Sequence, residues 1–122
     1  FALKQDTKIL DKYILVKGAE SLRTSFDKHE LDPESIDHVL AHISSGYFKE
    51  GLKNEFANVG LDFPWEKWFY NLSEVGNIGA GSIFIAVEQL MNSGKLKKGE
   101  KILLCVPESG RFAYSCALLT VC

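Results

Sequence analysis

The sequence predicts an α/β fold: a mixed five-stranded sheet, mostly parallel with a C-terminal antiparallel hairpin, covered by helices on both faces. Segments of helical period alternate with short apolar segments along the 122 residues, the pattern of parallel strands joined by crossover helices. The last two apolar runs, Ile102 to Val106 and Phe112 to Val121, are separated only by Pro107-Glu108-Ser109-Gly110-Arg111, a connection short enough for an antiparallel pair. A composition of 46% hydrophobic and 25% charged residues is that of a globular domain, and the length favours one domain.

Taken in order, Phe1 to Lys4 reads as the tail of a first strand. From Thr7 to about Glu30, Ile9, Leu10, Tyr13, Ile14, Leu22 and Phe26 recur at helical spacing. Asp6 or Thr7 is the expected cap of this helix and Asp32-Pro33 its stop. Ile36 to Ala41 reads as a buried strand ending at His42. The small-residue loop Ser44-Ser45-Gly46 then opens an amphipathic helix carrying Tyr47, Phe48, Leu52 and Phe56. Asn58 to Lys67 is irregular, with Phe63, Pro64 and Trp65, and Trp68 to Leu72 is expected as a short strand. Beyond the glycine-rich loop from Gly76 to Ser82, Ile83, Ala86, Val87, Leu90 and Met91 fit the i, i+3, i+4, i+7, i+8 pattern, and Gly94 ends the helix. Phe84 and Ile85 lie beside that stripe, so the helix is apolar nearly all round and should be buried on more than one side. Lys95 to Lys101 is a polar turn leading to the hairpin, and the order becomes β-α-β-α-β-α-β-β.

Fourteen Lys+Arg against 16 Asp+Glu give a formal net charge of −2. With no basic run, the electrostatic basis for nucleic-acid binding is missing. No apolar run approaches the ~20 residues of a membrane span. The start, Phe1-Ala2-Leu3-Lys4, is neither a signal peptide nor a Met start and reads as a cut inside a longer protein. Three cysteines, Cys105, Cys116 and Cys122, form no CxxC pair. Cys105 and Cys116 lie in apolar runs, which predicts buried thiols and a reducing, cytoplasmic setting. His38 and His42 flank a strand, about 13 Å apart at ~3.3 Å per residue. They cannot share a metal, His29 lies near a helix end, and no metal site is expected.

Two residues stand out chemically: His42 at the carboxyl end of a strand and Asn77 in the glycine-rich loop. Ligands of open α/β sheets gather at the carboxyl ends of strands. A neutral imidazole N–H and an amide NH₂ aimed at one point can stabilise an oxyanion. On the residues alone, a satisfied strand-end histidine and a turn asparagine remain open readings. A phosphate cradle fits poorly, because the loop reads GxxGxG rather than GxGxxG, no P-loop lysine follows, and no acidic residue lies about 20 positions on.

The loop Gly76-Asn77-Ile78-Gly79-Ala80-Gly81-Ser82, the apolar helix, the Lys-Gly-Glu turn and the apolar strand after it together resemble one family. That family is the C-terminal half of β-ketoacyl-acyl-carrier-protein synthase III, one of the thiolase-like condensing enzymes. The resemblance runs from about Ile36 to Val121. Gly76, Asn77 and Ser82 match its motif Gly-Asn-Thr-Ser-Ala-Ala-Ser, and His42-Ile43-Ser44-Ser45 stands in place of His-Gln-Ala-Asn. Gly110 alone matches its glycine-rich turn before the last strand, Ser109 and Arg111 replacing glycines. Tyr47 falls where commoner members carry an arginine near the carrier-docking face.

The resemblance implies that residues 1–122 are a thiolase-like half-domain whose N-terminal half carries the catalytic cysteine. It implies an acyltransferase for decarboxylative Claisen condensation of an acyl thioester with malonyl carrier, in fatty-acid or polyketide-type biosynthesis. His42 and Asn77 would be catalytic, donating to the malonyl thioester oxygen as enolate charge builds, and the Gly110 N–H would serve the acyl-enzyme oxyanion hole. Substrates would be acyl-CoA or acyl-carrier-protein thioesters, with no further cofactor. The implied partners are the carrier protein, the N-terminal half and a second copy in a homodimer. This chain alone is expected to be inactive. The alternative is a non-catalytic binding or structural module of the same fold, favoured by the altered segment after His42.

Overall fold

Asp6 starts the first helix by accepting hydrogen bonds from the backbone N–H groups of Lys8 and Ile9 (3.0 and 3.2 Å), which satisfies two donors that the first turn leaves without partners. The computed structural model describes residues 4 and 6–122, and in it this helix, α1, spans Thr7–Lys28. The strand tail expected at Phe1 to Lys4 falls largely outside the described residues, and Lys4 itself is in no strand. Asp32 caps the short turn Pro33–Ser35, and strand β1 follows at His38–Ala41, buried at its last three positions. Helix α2 spans Phe48–Asn58, a one-turn helix α3 Leu72–Val75, and helix α4 Ser82–Asn92, with Gly94 (φ +71°) just beyond its end. Strands β2, Lys101–Glu108, and β3, Ala113–Thr120, complete the chain.

The sheet order is β1-β2-β3, with β1 parallel to β2 and β3 antiparallel to it. Successive strand residues face opposite sides, and the two sides carry separate cores. Val39, Ala41, Leu103 and Cys105 pack with Leu22, Phe26, Leu52 and Phe56 of α1 and α2. Leu40 and Ile102 pack with Ile83, Ala86 and Leu90 of α4. The result is helix, sheet and helix in three layers, as expected from the alternation of periods.

The strand count is lower than expected: among the described residues the mixed sheet has three strands rather than five. Trp68 makes only an isolated parallel bridge to Val39, through the Phe69 N–H to Val39 carbonyl bond (3.0 Å). The segment is confined between a turn at Trp65–Lys67 and α3, which leaves only residues 68–71 to run beside β1. The side chains of this segment turn instead to an aromatic cluster, with Trp68 stacked on Phe56 (5.8 Å) and on Tyr70 (5.7 Å).

Two further expectations are corrected. Cys105 is buried, but Cys116 and Cys122 are exposed. Strand β3 lies at the outer edge of the sheet, and only Tyr114 and Leu118 along it are partly covered. The hairpin connection is also shorter than expected, because β2 continues through Pro107 and Glu108. Proline is tolerated there because β1 has already ended and no neighbour needs its missing N–H. Among the described residues no helix is long and apolar enough to cross a membrane.

Candidate active site

His42 follows the last residue of β1, and its backbone N–H donates to the Cys105 carbonyl (2.8 Å), the final rung between β1 and β2. The imidazole therefore leaves the sheet at the carboxyl end of its parallel pair. It is half-buried, and burial pushes its pKa below the ordinary 6.5. At neutral pH the ring is uncharged, with one N–H to donate.

Asn77 is held by its own loop. Gly76 (φ +78°) and Gly79 (φ +67°) occupy left-handed backbone that favours glycine. Between them the Asn77 side-chain oxygen accepts the Gly79 N–H (2.9 Å), and Ser82 Oγ accepts the Ile78 N–H (3.0 Å). With its oxygen engaged, the Asn77 amide has its NH₂ donors free to point outward. The loop delivers them at the entrance to α4, and Asn77 is exposed.

The two residues share a cavity of about 270 Å³. Its apolar wall includes Ile14, Leu22, Leu52 and Phe56 from α1 and α2, with Cys105, Cys116 and Ser109 from the hairpin side. A second hollow of about 20 Å³ brings His42 against Gly76 and Ser82 on the α4 side. His42 thus stands between the apolar cavity and the asparagine loop. Such a space can take a slender apolar or thioester group, with two neutral hydrogen-bond donors bordering it.

Gly110 is not brought into this group. It sits in the turn between β2 and β3, exposed and outside the cavity lining. Its backbone N–H donates to the Glu108 carboxylate (2.5 Å), which also accepts the Arg111 N–H (3.1 Å). These bonds, the one from Gly110 foremost, hold the Glu108 carboxyl below its usual range. Sequence reasoning missed Glu108 as the residue that shapes this turn, although an acidic side chain two positions before a glycine is a recognisable local signal. It also missed the lock at the other end of β1. His38 Nε2 meets Glu100 (2.9 Å), Glu100 also accepts the Lys97 N–H (2.8 Å), and Asp37 accepts the Lys101 N–H (2.8 Å). His38 is therefore tied to a carboxylate away from His42.

Comparison with known proteins follows the same lines. The family model described as 3-oxoacyl-[acyl-carrier-protein (ACP)] synthase III C terminal matches residues 26–121. The chain is 28% identical over 106 residues to beta-ketoacyl-[acyl-carrier-protein] synthase III of Koribacter versatilis, a match covering 87% of this chain and 30% of the relative. It is 30% identical over 127 residues to the protein of that name from Clostridium perfringens, covering 95% of this chain and 37% of the relative. The crystal structure of 3-oxoacyl-[acyl-carrier-protein] synthase III from Aquifex aeolicus superposes with a TM-score of 0.78 at 28% identity, over 96% of this chain and 36% of that one. The chain spans about a third of the length of the curated relatives it matches.

Proposed function

We propose, from the premise that this chain belongs to the 3-oxoacyl-[acyl-carrier-protein] synthase III family through its C-terminal domain, that it supplies the enolate-stabilising donors of a decarboxylative Claisen condensation. In this reading a malonyl thioester loses CO₂, and the electron pair of the broken C–C bond becomes an enolate whose oxygen takes hydrogen bonds from the His42 ring and the Asn77 amide. The enolate carbon then attacks an acyl thioester held on a cysteine and expels the cysteine thiolate. The observation that carries the reading is the pairing of two neutral donors on one cavity, an imidazole kept uncharged by burial and an amide whose oxygen is already engaged by Gly79. Preset donors stabilise developing charge without reorganising, and neutral ones do not bind the ground-state malonyl carboxylate as a cation would.

The acyl-accepting cysteine belongs, on this proposal, to an N-terminal half. Cys105 and Cys116 lie within strands and Cys122 follows β3, so none stands at a helix N-terminus where a thiolate is activated. The chain alone should then be inactive, with acyl-CoA or acyl-carrier thioesters as substrates of the assembled enzyme. The exposed apolar residues of α4, Phe84 and Met91, support burial of that helix against the other half or a second copy. Gly110, its N–H engaged by Glu108, serves an acyl oxyanion hole only if that turn opens, and this favours the non-catalytic module as the competing reading.

The test uses this chain joined to its cysteine-bearing half. Replacing His42→Ala or Asn77→Ala should leave acyl loading of the cysteine intact and slow release of CO₂ from malonyl carrier on the order of 10²–10³-fold, the usual loss for one oxyanion donor. Decarboxylation at the parental rate in both variants would remove the assignment.

A further inference from the structure

Cys105 and Cys116 stand directly opposite each other across β2 and β3. The class of that pair follows from the hydrogen bonds on the other side of β2. Lys101 and Cys105 turn their carbonyls to β1, accepting the N–H groups of Asp37 (3.0 Å) and His42 (2.8 Å). A strand residue directs its N–H and its carbonyl to the same side, so Cys105 has no backbone bond to β3. Pro107, two positions on and opposite Tyr114, belongs to the same class and has no N–H to give. Cys105 and Cys116 are therefore a non-hydrogen-bonded pair, the closer of the two antiparallel spacings, with Cα atoms about 4.5 Å apart. That separation falls inside the roughly 4.4–6.8 Å window of disulfides.

The two side chains also share a face and a cavity. Directly opposed residues of an antiparallel pair point the same way, and both thiols line the wall that carries His42. They differ in access, since Cys105 is buried among core residues whereas Cys116 is exposed. The nearness of the two sulfurs pulls their pKa values apart, Cys116 below its ordinary value and Cys105, raised further by burial, above its own. Cys122, exposed beyond the end of β3, has no such neighbour across the ladder.

We propose that Cys105 and Cys116 form a dithiol site that closes to a cross-strand disulfide on exchange with a low-molecular-weight disulfide. The Cys116 thiolate attacks one sulfur of that reagent, giving a mixed disulfide and one departing thiolate. The Cys105 thiol then loses its proton to that thiolate, its sulfur attacks the Cys116 sulfur, and the second reagent thiolate leaves. Two protein thiols and one small disulfide become one protein disulfide and two small thiols. The exposed member attacks and the buried member resolves, so no strand need open. The new bond would tie the edge strand to the centre of the sheet, beside the carbonyl that anchors His42.

The test is incubation of the folded chain, carrying Cys122→Ser, with oxidised glutathione, followed by intact mass and tryptic mapping. The expected product has lost the mass of two hydrogens, with the peptide of residues 102–111 linked to that of residues 112–122. Adding Cys116→Ser should abolish the link and leave Cys105 unmodified, whereas adding Cys105→Ser should stop the reaction at a stable glutathione adduct on Cys116. Because the buried Cys105 variant risks misfolding, the Cys116 variant suffices to decide. A wild-type pair that stops at the glutathione adduct, that fails to react, or that links only after unfolding in urea overturns the proposal.

Discussion

On the face of the sheet covered by α1 and α2, Leu22, Phe26 and Phe63 are each 1% exposed, whereas across the sheet Phe84 and Met91 of α4 are 74% and 64% exposed. The first face holds the larger core, closed by α1, α2 and an aromatic cluster except at the cavity beside His42. The second is covered by one helix whose inner stripe of Ile83, Ala86 and Leu90 is buried and whose outer stripe faces solvent. A helix apolar on both sides normally packs on both, and on the proposed reading another layer covers this outer stripe. His42 and Asn77 lie at the junction of the two, one at the end of β1 and the other at the start of α4. The contrast separates the larger buried core from an apolar stripe left in solvent.

The sharpest way to break that contrast is to empty each side in turn. Phe26→Ala should lower unfolding free energy in urea by about 3–5 kcal/mol, the usual cost of deleting a fully buried ring. Leu90→Ala, beneath a single helix that can settle into the gap, should cost about 2 kcal/mol, the low end for such a truncation. Equal losses at the two sites would mean that the faces are not differently closed. Phe84→Ala should shift stability by less than about 0.5 kcal/mol, as for other surface changes. Phe84→Glu or Ile85→Glu should instead weaken self-association seen by light scattering, because large apolar patches seldom stay bare. A wild-type chain that remains monomeric at tens of micromolar, with no binding of an apolar dye, would contradict the proposed covering layer.

A smaller effect concerns pH. Burial holds His42 below 6.5 in the folded chain, so the unfolded chain binds more protons between that lowered value and 6.5. Its contribution is complete above pH 6.5 and is lost as pH falls from there to the folded value. Glu100 and Glu108, both held below their ordinary 4.5, act only at more acid pH. His42→Asn should flatten the upper part of the acid limb and leave the lower part unchanged; an unaltered upper part would show that the ring is not desolvated.

Much of this was legible in the residues. α1 and α4 follow from an aspartate cap, a strong apolar period and a terminal glycine, and the hairpin from two apolar runs joined by a short polar link. The placement of His42 after a strand end and of Asn77 in a glycine-bounded loop was legible, because both leave sequence marks. The expected strand at Trp68 was not legible as a loop, because its aromatic residues suit a pleated surface equally well. What decided the matter was the turn and helix that bound the segment and the aromatic cluster its side chains join, a tertiary contact that local pattern does not report. Cys116 reads as buried in its apolar run, yet it lies on an edge strand, and edge position depends on sheet order rather than on neighbours in sequence. The Glu108 bond to Gly110 likewise depends on where β2 stops.

The central claim is that His42 and Asn77 serve one oxygen at the junction of the two faces, and a double-mutant cycle on malonyl decarboxylation tests it most directly. With the chain joined to the cysteine-bearing half that the proposal calls for, His42→Ala, Asn77→Ala and the double variant are compared at saturating malonyl carrier. Donors to the same enolate oxygen are strongly coupled, so the double variant should be slower than the weaker single variant by no more than about tenfold. Losses that multiply in full, each on the order of 10²–10³, would show that the two residues act at separate points and would contradict the shared site.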